Sequence, residues 1–186
     1  MLQKSYKSEE NLLIMKNIIR IRLSALFLAF IVIFSAPLSV QAALKSEKAE
    51  SRTEKSMLTE ENVRLMSAII FCEAGSEPYA GKVAVGIVIL NRVHSKEFPN
   101  TIKKVIYQKG QFTPARSGAL DKVLKKYDNG TFTEKNHLDS VQAAIEVLEG
   151  RNFVEHKGEE INMDSYLFFS ANMKNCRLKI GNHRFR

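Results

Sequence analysis

The chain has 186 residues, a formal charge of +8, two cysteines and four histidines, which is enough length for one domain with a real core. His94, His137, His156 and His183 are scattered without metal-ligand spacing, so no metal site and no cofactor are expected. The excess of base suits an anionic polymer or a membrane surface, and equally serves ordinary solubility.

The N-terminal stretch reads as export machinery. Lys16, Arg20 and Arg22 form a basic region, Leu23–Phe34 an apolar one, Ser35-Ala36-Pro37 a break, and Val40-Gln41-Ala42 ends on a small residue. That is the order of a secretory signal peptide, and Met15 makes a more ordinary start for it than Met1. The competing reading is an uncleaved anchor, for which the apolar run is short against the roughly 20 residues of a span. Residues 1–42 are therefore assigned as leader, and the product as secreted or held in the cell envelope, touching membrane only through the signal segment. Export argues against nucleic acid as a partner. Lys4, Lys7, Lys16, Arg20 and Arg22 against Glu9 and Glu10 take +3 away with the leader, leaving +5. Residues 43–58 are polar and charged and read as a flexible linker. Residues 59–186 are the domain, expected to be a monomer.

Thr59 is a good N-cap, with Glu60 and Glu61 in the first turn where the helix dipole favours acids. Val63, Met66, Ile70 and Glu73 follow at spacings of three and four, and Gly75 offers a stop. Ser76 is expected to cap a second helix with Pro78 in its first turn, running through the all-apolar Val83–Leu90 to about His94. Thr101 opens a short helix, Gln111–Pro114 reads as an extended segment or turn, and Ala119–Tyr127 as a short helix stopped by Asp128-Asn129-Gly130. Leu138, Val141, Ile145 and Leu148 mark an amphipathic helix ending at Gly150. Residues 151–163 read as a polar loop. Tyr166–Phe169 and Leu178–Ile180 look like two strands of a hairpin joined by Ser170–Arg177. The class is α+β, mainly α-helical, with a small C-terminal β-hairpin. Cys72 and Cys176 permit one disulfide, although a thiol in an apolar helix is equally at home.

Glu73 carries the chemistry. It continues the apolar stripe of Met66, Ile69 and Ile70 into the last turn, where lost hydration and the carbonyl end of the helix both favour a protonated carboxyl. A carboxyl still protonated near neutral pH is what a general acid needs, above all for protonating a glycosidic oxygen. On spacing alone, a solvent-facing glutamate in a terminal turn stands beside that reading. Glu77 is the second carboxylate, in a position where dipole chemistry alone explains an acid. A retaining pair sits roughly 5–5.5 Å apart and an inverting pair roughly 6.5–9.5 Å, and four residues across a turn satisfy either.

The segment Glu73-Ala74-Gly75-Ser76-Glu77-Pro78, the helix Gly81–Arg92, Phe98-Pro99 with Thr101, Val105-Ile106, Gln111-Phe112-Thr113-Pro114 and the ending Ile180-Gly181-Asn182-His183-Arg184-Phe185 occur in order. Together they resemble the catalytic domain of the SleB/CwlJ family of cell-wall hydrolases, over nearly all of residues 60–186. The chain departs from that pattern at Gly75-Ser76, where the family carries Arg-Gly, and at Cys72, where glycine is common. The resemblance implies a lysozyme-like fold, peptidoglycan as partner, and cleavage of its glycan strand between N-acetylmuramic acid and N-acetylglucosamine in cell-wall or spore-cortex degradation. It places the catalytic acid on Glu73 and implies lytic transglycosylase chemistry, for which one glutamate suffices. Glu77, Asn91, Arg92, Phe112, Thr113, Tyr166, Phe168 and His183 are the candidate substrate-binding residues. Two other readings remain open: an N-acetylmuramoyl-L-alanine amidase, and a catalytically inactive wall-binding or spore-coat protein.

Overall fold

The computed structural model describes residues 57–186. The leader and the linker up to residue 56 lie outside the described residues. By backbone contacts, Glu60–Arg186 separates as a unit of its own.

Six helices and five short strands follow one another: α1 (Glu60–Ala74), α2 (Tyr79–His94), α3 (Ile102–Ile106), α4 (Thr113–Ser117), α5 (Ala119–Asp128), α6 (Lys135–Leu148), β1 (Phe153–His156), β2 (Glu159–Asn162), β3 (Phe169–Ser170), β4 (Leu178–Ile180) and β5 (His183–Phe185). The class is mainly helical with small sheets near the C-terminus. Among the described residues no helix is long and apolar enough to cross a membrane.

α1, α2 and α6 form the core. α1 packs on α6, α5 and α2, and α2 packs on α6, α3 and β1. Val83 to Leu90 is buried on every side of α2, which is why its sequence shows no polar face. At Gly86 an added Cβ would come within 3.1 Å of Ile70 and 3.2 Å of Val147, so the missing side chain sets how closely α2 approaches α1 and α6. The start of α2 differs from expectation. Its N-cap is Pro78, with no side-chain cap bond, rather than Ser76. Proline has no N–H to leave unsatisfied there, and its carbonyl accepts from the amides of Gly81 and Lys82. The Lys82 ammonium, fully buried, donates to the Glu77 carbonyl at 2.6 Å, which ties the turn to the helix. α3 is capped as expected, with the Thr101 hydroxyl accepting from the Lys104 amide at 3.2 Å. Residues 111–114, expected to be an extended segment or turn, are extended at Phe112, and from Thr113 the chain closes one helical turn to Ser117 because Pro114 fits a first-turn position.

The β structure is larger than the single hairpin expected, and it is connected differently. Residues 151–163 are not a loop. β1 and β2 pair antiparallel, Phe153 with Asn162 through His156 with Glu159. Lys157 (φ 55°) and Gly158 (φ 83°) make the two-residue connection, and two positive φ values are what a type I′ hairpin turn requires. In the second sheet the order is β3-β5-β4, with both contacts antiparallel. β3 and β4 therefore do not form a hairpin with each other. The C-terminal strand lies between them, with Phe185 opposite both Phe169 and Leu178 and fully buried.

Candidate functional site

Glu73 stands in the last turn of α1, half-buried. Burial holds its carboxyl above the usual carboxylate range, and the positive charge of Arg92 works against that rise. The direction is the one expected from sequence. The opposing charge was not foreseen, because helix phasing carries no information about what another helix brings alongside. Cys72, next to it, has its thiol pushed up to about 11 by burial and then by the charge of Glu73, so it is a neutral neighbour. Cys72 and Cys176 are both free thiols.

Arg92 comes from the last turn of α2 and is 4% exposed. Its Nε donates to the Leu167 carbonyl at 2.8 Å. The guanidinium carbon lies 5.1 Å from the ring centre of Phe98, 5.4 Å from Phe112 and 5.7 Å from Phe168, distances at which a cation is attracted to an aromatic face. Asn91 plays a different part. Its amide nitrogen donates to the carbonyls of Met163 at 2.7 Å and Tyr166 at 2.9 Å, so it pins the segment that presents Leu167 to Arg92. Tyr166 is buried and stacked under Arg177, whose guanidinium carbon is 4.3 Å from the ring centre. Both residues brace the segment from within the fold, leaving them little surface for a sugar.

Glu77 is buried and fully engaged. One carboxylate oxygen accepts from the Asn182 backbone amide at 2.9 Å and the other from the Asn182 side-chain amide at 3.0 Å. Burial pushes its pKa up, but these two bonds and the charges of His183 and Lys82 outweigh it, and the group lies below the usual carboxylate range. The two glutamates are thus shifted in opposite directions, Glu73 toward the protonated form and Glu77 toward the anion. At Gly181 (φ 55°) an added Cβ would lie 2.0 Å from the Glu77 Oε2, so the β4–β5 turn seats its bare backbone against this carboxylate.

The other candidates divide. Phe168 is among the most exposed large hydrophobic residues described, with the guanidinium carbons of Arg92 and Arg186 each 5.7 Å from its ring centre. Thr113 is exposed at the start of α4. Phe112 is buried under the same cluster, 6.3 Å from Phe169. His183 is half-buried, 5.3 Å from the Phe169 ring, and its Nδ1 has no partner among the described residues. Burial lowers its pKa and the charge of Glu77 raises it, with burial the larger. At Gly75 an added Cβ would meet the Phe71 carbonyl at 2.6 Å. The family's arginine therefore does not fit this turn unless the backbone moves.

Among the described residues no group of three or more His, Cys, Asp and Glu side chains could hold a metal.

Comparison with known proteins places this arrangement. Residues 76–186 match the model of the cell wall hydrolase family. Glu77, Asn91, Arg92, Phe112, Thr113, Tyr166, Phe168 and His183 fall inside that span, and Glu73 lies three residues ahead of it. The spore cortex-lytic enzyme of Bacillus cereus is 42% identical over 62 residues, covering 33% of this chain and 24% of that protein. The spore cortex-lytic enzyme of Bacillus subtilis is 41% identical over 59 residues, 32% of this chain and 19% of that protein. The chain thus spans about a quarter or less of the length of these curated relatives. Among solved structures, the catalytic domain of the germination-specific lytic transglycosylase SleB from Bacillus anthracis superposes with a TM-score of 0.49 at 24% identity, over 68% of this chain and 94% of that one. The catalytic domain of Bacillus cereus SleB gives 0.49 at 25%, over 68% and 90%. With 111 of its 186 residues matched by the family model, the chain belongs to the cell wall hydrolase family.

Proposed function

We propose that the protein cleaves the glycan strand of peptidoglycan as a lytic transglycosylase, with Glu73 as its single acid and base, in the breakdown of cell wall or spore cortex. The observation that carries this reading is the setting of Glu73: a half-buried carboxyl that burial holds above the usual carboxylate range, in a chain of the cell wall hydrolase family. Glu73 gives that proton to the bridging oxygen as the bond from the muramic acid carbon to oxygen breaks. The resulting carboxylate then takes the proton from a hydroxyl of the same muramic acid, whose oxygen closes onto the cationic carbon as an anhydro ring. The acid is regenerated, and no water has to be activated. Glu77 supports a one-glutamate scheme, since both of its oxygens are occupied by Asn182 and it has no proton to give near neutral pH. Export, the monomeric state and the cleaved leader belong to the same proposal.

The test uses the full chain and its Glu73→Gln variant on purified vegetative and cortex peptidoglycan, with products identified by mass spectrometry. Anhydromuramyl ends are expected from the parent protein, and a rate lower by about 10²–10⁴-fold from the variant. Reducing ends would make the reaction a hydrolysis, and free stem peptides would make it an amidase. Undiminished cleavage by Glu73→Gln would remove Glu73 from the mechanism.

A further inference from the structure

Arg92 is an unusual residue to find inside a small helical domain. A guanidinium carries five N–H donors and cannot usefully lose its charge, and burying a charge without compensation is among the costliest things a fold does. Here the residue is 4% exposed, Nε reaches the Leu167 carbonyl, and Nη1 is buried with no hydrogen-bond partner among the described residues. Three phenylalanine rings, Phe98, Phe112 and Phe168, surround the carbon of the group. They shield it from water and favour its charge, but they offer Nη1 no conventional acceptor. The carboxyl whose charge acts on Arg92 is that of Glu73. Among the described salt bridges, none joins these two side chains.

We propose that Arg92 is the positioning residue of the acid: its buried, incompletely bonded guanidinium supplies the positive charge against which the Glu73 carboxylate forms once it has released its proton. The inference rests on Glu73 being the acid. It explains why a charge is kept in an aromatic cluster where an apolar side chain would pack at less cost. It also explains why two elements, Asn91 with the 163–167 segment and the Phe98–Phe112–Phe168 rings, are spent on fixing one arginine. Arg92 Nη1 has no hydrogen-bond partner among the described residues before the proton leaves. After proton transfer the anion is stabilised by a charge already in place, with no reorganisation. The other ionisable groups around the pair do not compete. Cys72 stays a thiol, Glu77 and His183 act on each other, and Arg186 lies at Phe168.

Two measurements test this, one of them independent of activity. In the full chain, the ¹⁵N resonance of Arg92 Nε is followed against pH in the parent and in Glu73→Gln. The expected result is a titration step in the parent, at the pH where the Glu73 carboxyl carbon titrates, that is absent from Glu73→Gln. An Arg92 resonance that stays flat through the Glu73 titration overturns the proposal, whatever the enzyme does to peptidoglycan. The second compares Arg92→Lys and Arg92→Gln. Without the charge, the pH midpoint above which the protonated acid is lost rises by roughly one unit and kcat falls at least tenfold, while KM stays within about twofold. Arg92→Lys restores most of the midpoint. A folded Arg92→Gln protein with the parent's midpoint overturns the proposal. If Arg92→Gln fails to fold, the Lys variant and the resonance titration decide. Absence of cleavage by the parent with a coupled titration would fault the function and leave the pair standing.

Discussion

At the scale of single residues, the domain contains two glutamates four positions apart and shifts their pKa values in opposite directions. Glu73 loses hydration, and the charge of Arg92 offsets that loss only in part, so its pKa rises. Glu77 is also out of solvent, yet two amide donors and the charges of His183 and Lys82 bring its pKa down. Burial alone therefore does not decide the sign; donors pointed at the charged form do. The difference has a measurable consequence for stability. A carboxyl whose folded pKa is raised binds more protons in the native state, so its contribution falls as pH rises through the window from the unfolded value near 4.3 to the higher folded value. Glu73→Gln should therefore melt above the parent at pH 8 and match it more closely at pH 4. Thermal unfolding at the two pH values checks this. An equal offset at both would mean that Glu73 ionises as freely in the fold as outside it.

At the scale of elements, the carboxylate of Glu77 couples the α1–α2 turn to the β4–β5 turn, and the latter has only Gly181 and Asn182 to work with. A side chain at 181 would need a positive φ and would overlap the Glu77 oxygen. Gly181→Ala is expected to cost more than about 1 kcal/mol, and Asn182→Ala about 1–3 kcal/mol because a buried acceptor is left short of a donor. Because the folded pKa of Glu77 is depressed, its stabilisation is present above the unfolded value and lost as pH falls through the folded one. The loss in Asn182→Ala should thus shrink between pH 7 and pH 3, read from urea unfolding at each. Much of the helical frame behind this latch was legible in the sequence, because caps and three-four spacing act within one turn: Glu60–Ala74, the Thr101 cap and the helix before Gly150 appear where their residues predict. What was not legible depends on contacts between distant segments. The Lys157-Gly158 turn lacks the Asn-Gly signal, although its glycine flanked by Phe153-Val154 and Ile161 was a usable hint. Arg92 was a candidate for binding substrate, but its burial under residues 98, 112 and 168 and its bond to Leu167 could not be read, since nothing at residue 92 says that these residues converge on it.

At the scale of the whole molecule, the last strand is the part on which the site's order depends most. β5 is the shared partner of β3 and β4. Just beyond it, the Arg186 carbonyl accepts from the amides of Leu167 at 3.0 Å and Phe168 at 2.8 Å, and its own amide donates to the Phe168 carbonyl at 3.0 Å. The Leu167 carbonyl is in turn the acceptor that fixes Arg92. A chain of hydrogen bonds therefore runs from the C-terminal residues through Leu167 and Phe168 to the guanidinium of Arg92, 94 positions earlier in sequence than Arg186. Removing His183–Arg186 would strand β3 and β4 without a partner and empty the fully buried place of Phe185, a loss of at least about 3–5 kcal/mol. The α1–α2–α6 core makes its contacts without that strand. The expected outcome is a protein that keeps most of its far-ultraviolet helical signal, melts far lower, and has lost cleavage by well over tenfold. Retained cleavage after this truncation would mean that the acid is positioned by the helices alone and that the sheet is not part of the working site.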